Sequence, residues 1–155
     1  MNPRVEIQIA SRETNLPAEE RLQQWAQTVL ELNAADAEVV IRIVDEEESR
    51  RLNDRYRGRD KPTNVLSFPF DAPPGVPVNH IGDLVVCAPV VCTEARLQGK
   101  PLEHHWAHMI VHGILHLQGH DHAATEDADR MESLERELLR GMDIPDPYLT
   151  RDHER

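Results

Sequence analysis

Alternation of apolar and polar residues predicts the strands of this chain. Arg4–Ala10 alternates strictly, as a strand with one buried face does. Glu38–Val44 is apolar on both sides except at Arg42, which predicts a strand in the middle of a sheet. Two further strands are predicted over Thr63–Phe70, where a proline marks an edge strand or a strand end, and over Ile81–Ala88. The proline-rich loop between them, 71–79, suits a broad hairpin.

Helical spacing of apolar residues, bounded by proline, glycine and acidic residues, predicts five helices. They run over Pro17 to about Asn33, from Asp45 as N-cap to about Tyr56, Pro89 to about Leu97, Pro101 into a histidine-rich stretch, and Thr125 to Gly141. The predicted inner face of the first helix carries Leu22, Trp25, Val29 and Leu32. That of the last carries Met131, Leu134 and Leu138.

The order of these elements predicts the fold class. Strands first alternate with helices, then form a hairpin, and helices follow, which favours an α/β (α+β) fold with a four-stranded mixed sheet covered by about five helices. A length of 155 residues suits one domain over 1–155 with a sizeable core. We interpret 143–155 as a proline-punctuated C-terminal tail.

Charge and cysteine content narrow the classes of function. A net charge of −11 argues against indiscriminate binding to nucleic acid, although a local basic patch would still permit it. Cys87 and Cys92 lack CxxC spacing, so we expect small buried residues in a reducing cytosol instead of a disulfide framework or a cysteine zinc site. The sequence shows no signal peptide and no apolar run of membrane-spanning length. We therefore expect a cytoplasmic protein that binds no membrane.

The helix that begins at Pro101 is apolar on nearly every side, which is typical of a buried helix. One isolated buried histidine is commonly a core residue whose nitrogens are satisfied. Several imidazoles inside a protein are costly unless something binds their nitrogens, and a metal ion is the simplest partner. We interpret His104, His105 and His108 as supporting or surface groups without a ligand role. One stripe of this helix carries His105, His108, His112 and His116.

The stretch VHGILHLQGHDH at 111–122 contains the spacing H-x-x-x-H-x-x-G-x-x-H. His112 and His116, four residues apart, lie on one helical face, close enough to bind one ion. Gly119 follows where a left-handed residue commonly ends a helix, so the chain can fold back and bring His122 to the same point. Three imidazoles and one vacant position are the geometry of a catalytic zinc site. The spacing therefore predicts one zinc ion per chain, held by these three histidines at the end of the buried helix.

A basic segment stands out in this acidic chain. One interpretation is a solvated helix end, where cations suit the negative end of the helix dipole. The other is a functional surface. The segment comprises Arg50, Arg51, Arg55, Arg57, Arg59 and Lys61.

Three motifs together resemble the YbeY endoribonucleases of bacteria. They are YRGRDKPTNVLSFPF at 56–70, IGD at 81–83 and HGILHLQGHDH at 112–122, and the similarity covers most of the chain after residue 45. The resemblance implies a zinc ion on His112, His116 and His122, and a functional arginine at Arg57. It also implies maturation of the 3′ end of small-subunit ribosomal RNA and ribosome quality control. Implied partners are the small ribosomal subunit, ribosomal proteins and an assembly GTPase, with no nucleotide cofactor.

Several residues refine this interpretation. Arg59 stands where the family has lysine and keeps the charge, and we consider it and Lys61 as nucleic-acid-binding candidates. His120 replaces the usual tyrosine and adds a potential fourth ligand, although we expect a residue two before the last histidine to point away from the ion. Asp83 and Asp121 are candidates either for orienting a ligand histidine or for turn and cap roles.

The residue types also discriminate between hydrolytic reactions. Position 113 is glycine, so the glutamate general base of the H-E-x-x-H proteases is missing from its usual place. An amide, with its poor leaving group, needs that proton shuttle more than a phosphodiester does. A zinc ion lowers the pKa of its water to about 7, and the forked guanidinium of Arg57 matches phosphate oxygens.

Three hypotheses remain open at this point. The first is a single-strand-specific, zinc-dependent endoribonuclease that acts on ribosomal RNA. The second is a metalloprotease, because the histidine spacing equals that of the metzincins. The third is a non-catalytic, ribosome-associated factor with a structural metal.

Overall fold

Four strands form one mixed sheet in the computed structural model, which describes residues 4–33, 37–70, 74–75, 79–118 and 125–148. The strands are β1 (Arg4–Ala10), β2 (Glu38–Val44), β3 (Val65–Pro69) and β4 (His80–Cys87). Their order is β1-β2-β4-β3. The pairs β1–β2 and β2–β4 are parallel, whereas β3 runs antiparallel to β4. The doubly apolar β2 is therefore central, and the predicted hairpin and edge position of the third strand are confirmed.

In the described ranges, five helices cover this sheet, as predicted. They are α1 (Glu19–Asn33), α2 (Glu46–Arg57), α3 (Ala88–Gln98), α4 (Leu102–Leu117) and α5 (Thr125–Gly141). Gly58 and Gly99 follow α2 and α3 in the left-handed conformation, so both predicted helix ends are confirmed. In the described part of the chain, every helix falls short of the length and apolarity that a bilayer crossing requires. The fold is therefore the predicted single-domain α+β arrangement.

The sheet separates two apolar layers of unequal size. Side chains such as Val39, Ile41 and Ile43 face the larger layer, where α1 and α4 pack against the sheet and α5 packs against α4. Leu66 and Val85 face the smaller layer, which α2 and α3 close. Helix α4 is buried along most of its length, and between positions 105 and 115 only His112 is half-buried. The predicted buried histidine helix is therefore the centre of the larger layer.

Two local predictions differ from the structure. Leu32, predicted on the inner face of α1, is 58% exposed, and Leu30 is fully buried in its place. Asp45 stands at the N-cap position of α2, but its side chain does not cap that helix. Its carboxylate instead accepts hydrogen bonds from the Ser11 hydroxyl and from the Arg12 backbone N–H at 3.0 Å. A more distant segment thus outcompetes the helix terminus for this carboxylate.

Helix α4 lies unusually close to the sheet at Gly113. A Cβ atom there would come within 2.8 Å of Leu84 Cδ2 and 3.3 Å of Val65 Cγ2. The Ser67 hydroxyl donates a hydrogen bond to the carbonyl oxygen of Gly113 at 3.0 Å. The small residue therefore lets the hairpin strands β3 and β4 approach the helix that carries the histidines.

Candidate active site

Helix α4 directs His112 and His116 towards each other. They lie one turn apart near its carboxyl end, both side chains are half-buried, and their Nε2 atoms are 3.2 Å apart. Two nitrogens that bind one zinc ion at about 2.0–2.1 Å in tetrahedral geometry lie roughly 3.4 Å apart. The separation in the protein is close to that value, so this pair fits two corners of a zinc site.

Glu135 of α5 fixes the orientation of His112. Its carboxylate is completely buried and its Oε1 atom lies 2.5 Å from His112 Nδ1. A ring nitrogen facing a carboxylate carries the proton, which leaves the lone pair on Nε2 and aims it at the His116 side. The carboxylate thus gives His112 the tautomer that a metal ligand needs.

Among the described residues, two more side chains contact Glu135. The Tyr148 hydroxyl donates a hydrogen bond to Glu135, and His108 Nε2 lies 3.6 Å from its Oε2 atom. Burial alone would raise the pKa of Glu135, but the contacts with His108, His112 and Tyr148 outweigh it and hold this pKa well below its usual range. Burial lowers the pKa of His108 despite the carboxylate, and burial together with Glu135 raises the pKa of Tyr148. At neutral pH the carboxylate is therefore ionised while its neighbours His108 and Tyr148 are neutral.

His108, His112 and Glu135 form a cluster that could hold a metal ion, since their ligand atoms all lie within 4.8 Å of one another. The distances within the cluster favour a different role. His112 Nδ1 and Glu135 Oε1 are hydrogen-bonded to each other at 2.5 Å, whereas two ligand atoms on one ion lie farther apart. This distance favours Glu135 as the hydrogen-bond partner of His112, whose Nε2 atom lies beside that of His116.

Arg57 and the two histidines line one cleft of 640 Å³. Its walls are the end of α2, the following turn, strand β3 and the His112–His116 face of α4. The turn is fastened to α2 by two buried polar residues. Ser49 exchanges hydrogen bonds with the backbone of Thr63 at 3.0 and 3.1 Å, and the Asn53 amide donates to the carbonyl oxygen of Lys61 at 2.8 Å. These bonds hold the exposed Arg57 at the mouth of the cleft.

The IGD motif shapes the same region. At Gly82, where φ is 153°, a Cβ atom would lie 2.5 Å from the carbonyl oxygen of Phe68 and 2.6 Å from Leu117 Cδ2. Only glycine permits this approach of β4 to β3 and to the end of α4. The glycine therefore lets the wall of the cleft and the histidine helix meet.

A second, partly buried network supports the floor of the cleft from α3. His105 Nε2 contacts Glu94 Oε1 at 2.8 Å, and the Asn64 amide donates to both Glu94 oxygens at 3.1 and 3.3 Å. Asn64 lines the cleft and accepts a hydrogen bond from the Val65 N–H at 2.6 Å. His105 is thus a supporting group, in keeping with the interpretation from the sequence.

The other predicted site residues fall into two groups. Arg59 and Lys61 lie exposed on the turn after α2, whereas the cleft-lining residues of that segment are Tyr56, Arg57 and Thr63. Asp83 contacts His80 Nε2 at 3.0 Å, so the orienting role falls to Glu135 in its place. Outside the described residues lie Gly119, His120, Asp121 and His122.

Sequence reasoning missed Glu135 and Tyr148. A signal for Glu135 was present, because it lies on the inner face of α5 between Met131 and Leu138, where a buried charge requires a partner. Tyr148 lies in the segment interpreted as a tail, yet the structure packs it against His108, with ring centroids 5.5 Å apart. The described part of that segment therefore contributes to the site.

A larger groove of 850 Å³ lies at the opposite end of α4. Its lining includes Trp25, Arg21, Glu103 and His104. The histidine pair and Arg57 line the smaller cleft, so size alone does not identify the site.

Comparison with known proteins gives consistent results. The family model described as Endoribonuclease YbeY matches residues 6–143. A protein from Halorhodospira halophila (strain DSM 244 / SL1), named Endoribonuclease YbeY, is 56% identical over 138 residues, which cover 87% of this chain and 90% of that protein. The solution structure of TM1509 from Thermotoga maritima matches with a TM-score of 0.58 and 27% identity, covering 92% of this chain and 98% of that one.

Proposed function

Because the chain belongs to the Endoribonuclease YbeY family, we propose that it is a zinc-dependent endoribonuclease that cuts single-stranded ribosomal RNA. Its role would be maturation of the 3′ end of small-subunit ribosomal RNA and ribosome quality control in the cytoplasm, together with ribosomal proteins and an assembly GTPase. The observation that carries the proposal is that Arg57 and the His112–His116 pair line the same cleft. A nuclease needs a cation beside its reacting centre, and this cleft supplies Arg57 in a chain of net charge −11.

The proposed zinc ion would be held by His112, His116 and His122. When bound with one open position, zinc activates water and polarises a phosphate oxygen. Contacts among the described residues support this assignment. Glu135 holds the proton of His112 on Nδ1, and the Glu135 carboxylate stays ionised because three neighbouring groups interact with it.

Arg57 would bind the phosphate at the cut bond. A guanidinium presents two parallel donors that match two phosphate oxygens, and it keeps its charge throughout the pH range of the reaction. The negative charge on these oxygens grows in the transition state, so a fixed cation stabilises the transition state more than the substrate. The side chain would therefore act chiefly on the rate of cleavage.

The close packing at Gly113 disfavours a protease. A glutamate at this position would direct its side chain into Leu84 and Val65 of the sheet. Position 113 of α4 therefore cannot supply a general base for water beside the histidines. Amide hydrolysis depends on such a base.

The test uses metal-free and zinc-restored protein with a defined single-stranded RNA and, separately, a peptide library. We expect cleavage of RNA only after zinc is restored. His116→Ala should lose both zinc and cleavage, whereas Arg57→Ala should keep zinc and cut RNA about 10²–10³-fold more slowly, as when one charge-stabilising donor is removed from an enzyme. Arg96→Ala, an exposed arginine of α3 outside the cleft, is the matched control. Cleavage of peptides but not RNA would refute the proposal, and full activity of Arg57→Ala would remove that residue from the mechanism.

A further inference from the structure

Tyr56 is an exposed aromatic residue inside the cleft. Of the large hydrophobic side chains that are strongly exposed in the described ranges, it is the one that lines this cavity. It is 59% exposed, although a tyrosine gains free energy by burying its ring. It also directly precedes Arg57 in the chain. The ring is therefore available for contact with a ligand that enters the cleft.

Neighbouring groups hold the Tyr56 ring in place. Its centroid lies 5.1 Å from that of Phe68 in an edge-to-face contact, with an interplanar angle of 68°. Phe68 itself packs against the smaller apolar layer beside Leu52 and Val90. The guanidinium carbon of Arg55 lies 5.6 Å from the Tyr56 centroid, a cation–π contact. These two contacts restrict the ring before a ligand arrives, which reduces the entropy lost on binding.

We propose that Tyr56, braced by Phe68, is a stacking platform for one unpaired nucleobase of the RNA in the cleft. This inference rests on the proposed endoribonuclease function and adds a residue that contacts the substrate. Bases of single strands stack on aromatic side chains, while their phosphates bind cations along the same groove. The pairing of Tyr56 with Arg57 at one edge of the cleft supplies both elements in consecutive residues.

The platform would also give the proposed enzyme a preference for single strands. A base within a duplex already stacks on its neighbours and would have to leave the helix before it could contact Tyr56. An unpaired base has no such cost. The ring therefore discriminates against duplex RNA without a specific hydrogen bond to any base.

The test compares wild-type protein, Tyr56→Ala and Tyr56→Phe, all zinc-loaded, in cleavage of a single-stranded RNA and of the same RNA in a duplex. Tyr56→Ala should raise KM for the single strand roughly 5- to 150-fold, the range for loss of one base–aromatic stack, and should narrow the discrimination between the two substrates. Tyr56→Phe keeps the ring and should retain the wild-type KM. The matched control is Phe70→Ala, an aromatic residue 48% exposed outside the cleft lining.

A second measurement locates the stacked base. In a series of RNAs that each lack one base, removal at one position should raise KM for the wild-type protein and leave KM of Tyr56→Ala unchanged. If both proteins respond equally at every position, or if Tyr56→Phe is as impaired as Tyr56→Ala, the platform is refuted while the endoribonuclease proposal stands. If zinc-loaded wild-type protein cuts no RNA, the proposed function fails and the platform fails with it.

Discussion

Replacing the buried carboxylate of Glu135 by an amide tests how the metal site is built. Glu135→Gln keeps the shape of the side chain but removes its charge. His112 Nδ1 then faces a neutral acceptor or, with the amide reversed, an N–H group. We expect the protein to fold, to bind zinc more weakly, and to keep the same number of ions per chain.

The size of the effect follows from the contact. The hydrogen bond joins His112 Nδ1 to a fully buried, ionised oxygen at 2.5 Å. A hydrogen bond to a charged group contributes about 1.5–3 kcal/mol. Loss of the group that orients a ligand histidine typically lowers metal affinity about 10- to 100-fold, equivalent to roughly 1.4–2.7 kcal/mol. The two estimates agree, so we expect a loss of zinc affinity in this range.

Competition with a fluorescent chelator measures the zinc affinity, and Glu137→Gln, on the exposed side of the same helix, is the matched control. Unchanged affinity in Glu135→Gln would refute the orienting role. A loss as complete as that of His116→Ala would show that Glu135 is itself a ligand, and the metal would then lie among His108, His112 and Glu135. Circular dichroism of the metal-free proteins separates either result from unfolding.

Further predictions concern packing, pH and thiol reactivity. Gly113→Ala should lower the free energy of unfolding in urea by about 1–3 kcal/mol, because the added methyl group overpacks the contact with the sheet. Gly141→Ala, whose added Cβ atom meets no atom within 4 Å, should raise this free energy by about 0.4–1 kcal/mol. Equal effects of the two substitutions would contradict the close approach of α4 to the sheet. Burial would raise the pKa of Glu94, but its histidine and asparagine partners hold this pKa below its usual value of 4.5. The stability that the ionised carboxylate contributes is therefore present above pH 4.5 and is lost as the pH falls. Glu94→Gln should remove this dependence, so the free energy of unfolding in urea should change less on the acid side of its pH profile. Burial and Glu13 raise the pKa of Cys92 to about 11, so alkylation at pH 8 should be roughly 10²-fold slower than for a free thiol, and rapid labelling would contradict this.

The spacing of apolar residues predicted most of the strands and helices, because this spacing depends on the geometry of each element alone. Strict alternation identified β1, and the doubly apolar pattern of β2 correctly indicated a central strand. The same reasoning failed at Leu32, because α1 packs more heavily through Leu30 than the spacing of its largest residues suggested.

Long-range contacts set the limit of the sequence prediction. The histidine spacing identified one face of α4, but the partner of His112 lies 23 residues away on another helix. Asp83 was a candidate for this role because of its motif, and it is instead engaged by His80 three residues earlier. The placement of Arg57 in the cleft likewise depends on Ser49 and Asn53, which fasten a turn that periodicity does not describe.

The edge position of β3 also bears on self-association. A sheet edge with outward-facing backbone groups can recruit strands from other molecules and lead to fibres. Strand β3 is only five residues long and ends in Pro69, which has no N–H to donate. Four of its five residues line the cleft. The cleft can therefore stay open along β3, because this edge strand pairs poorly with a strand from a second copy of the chain.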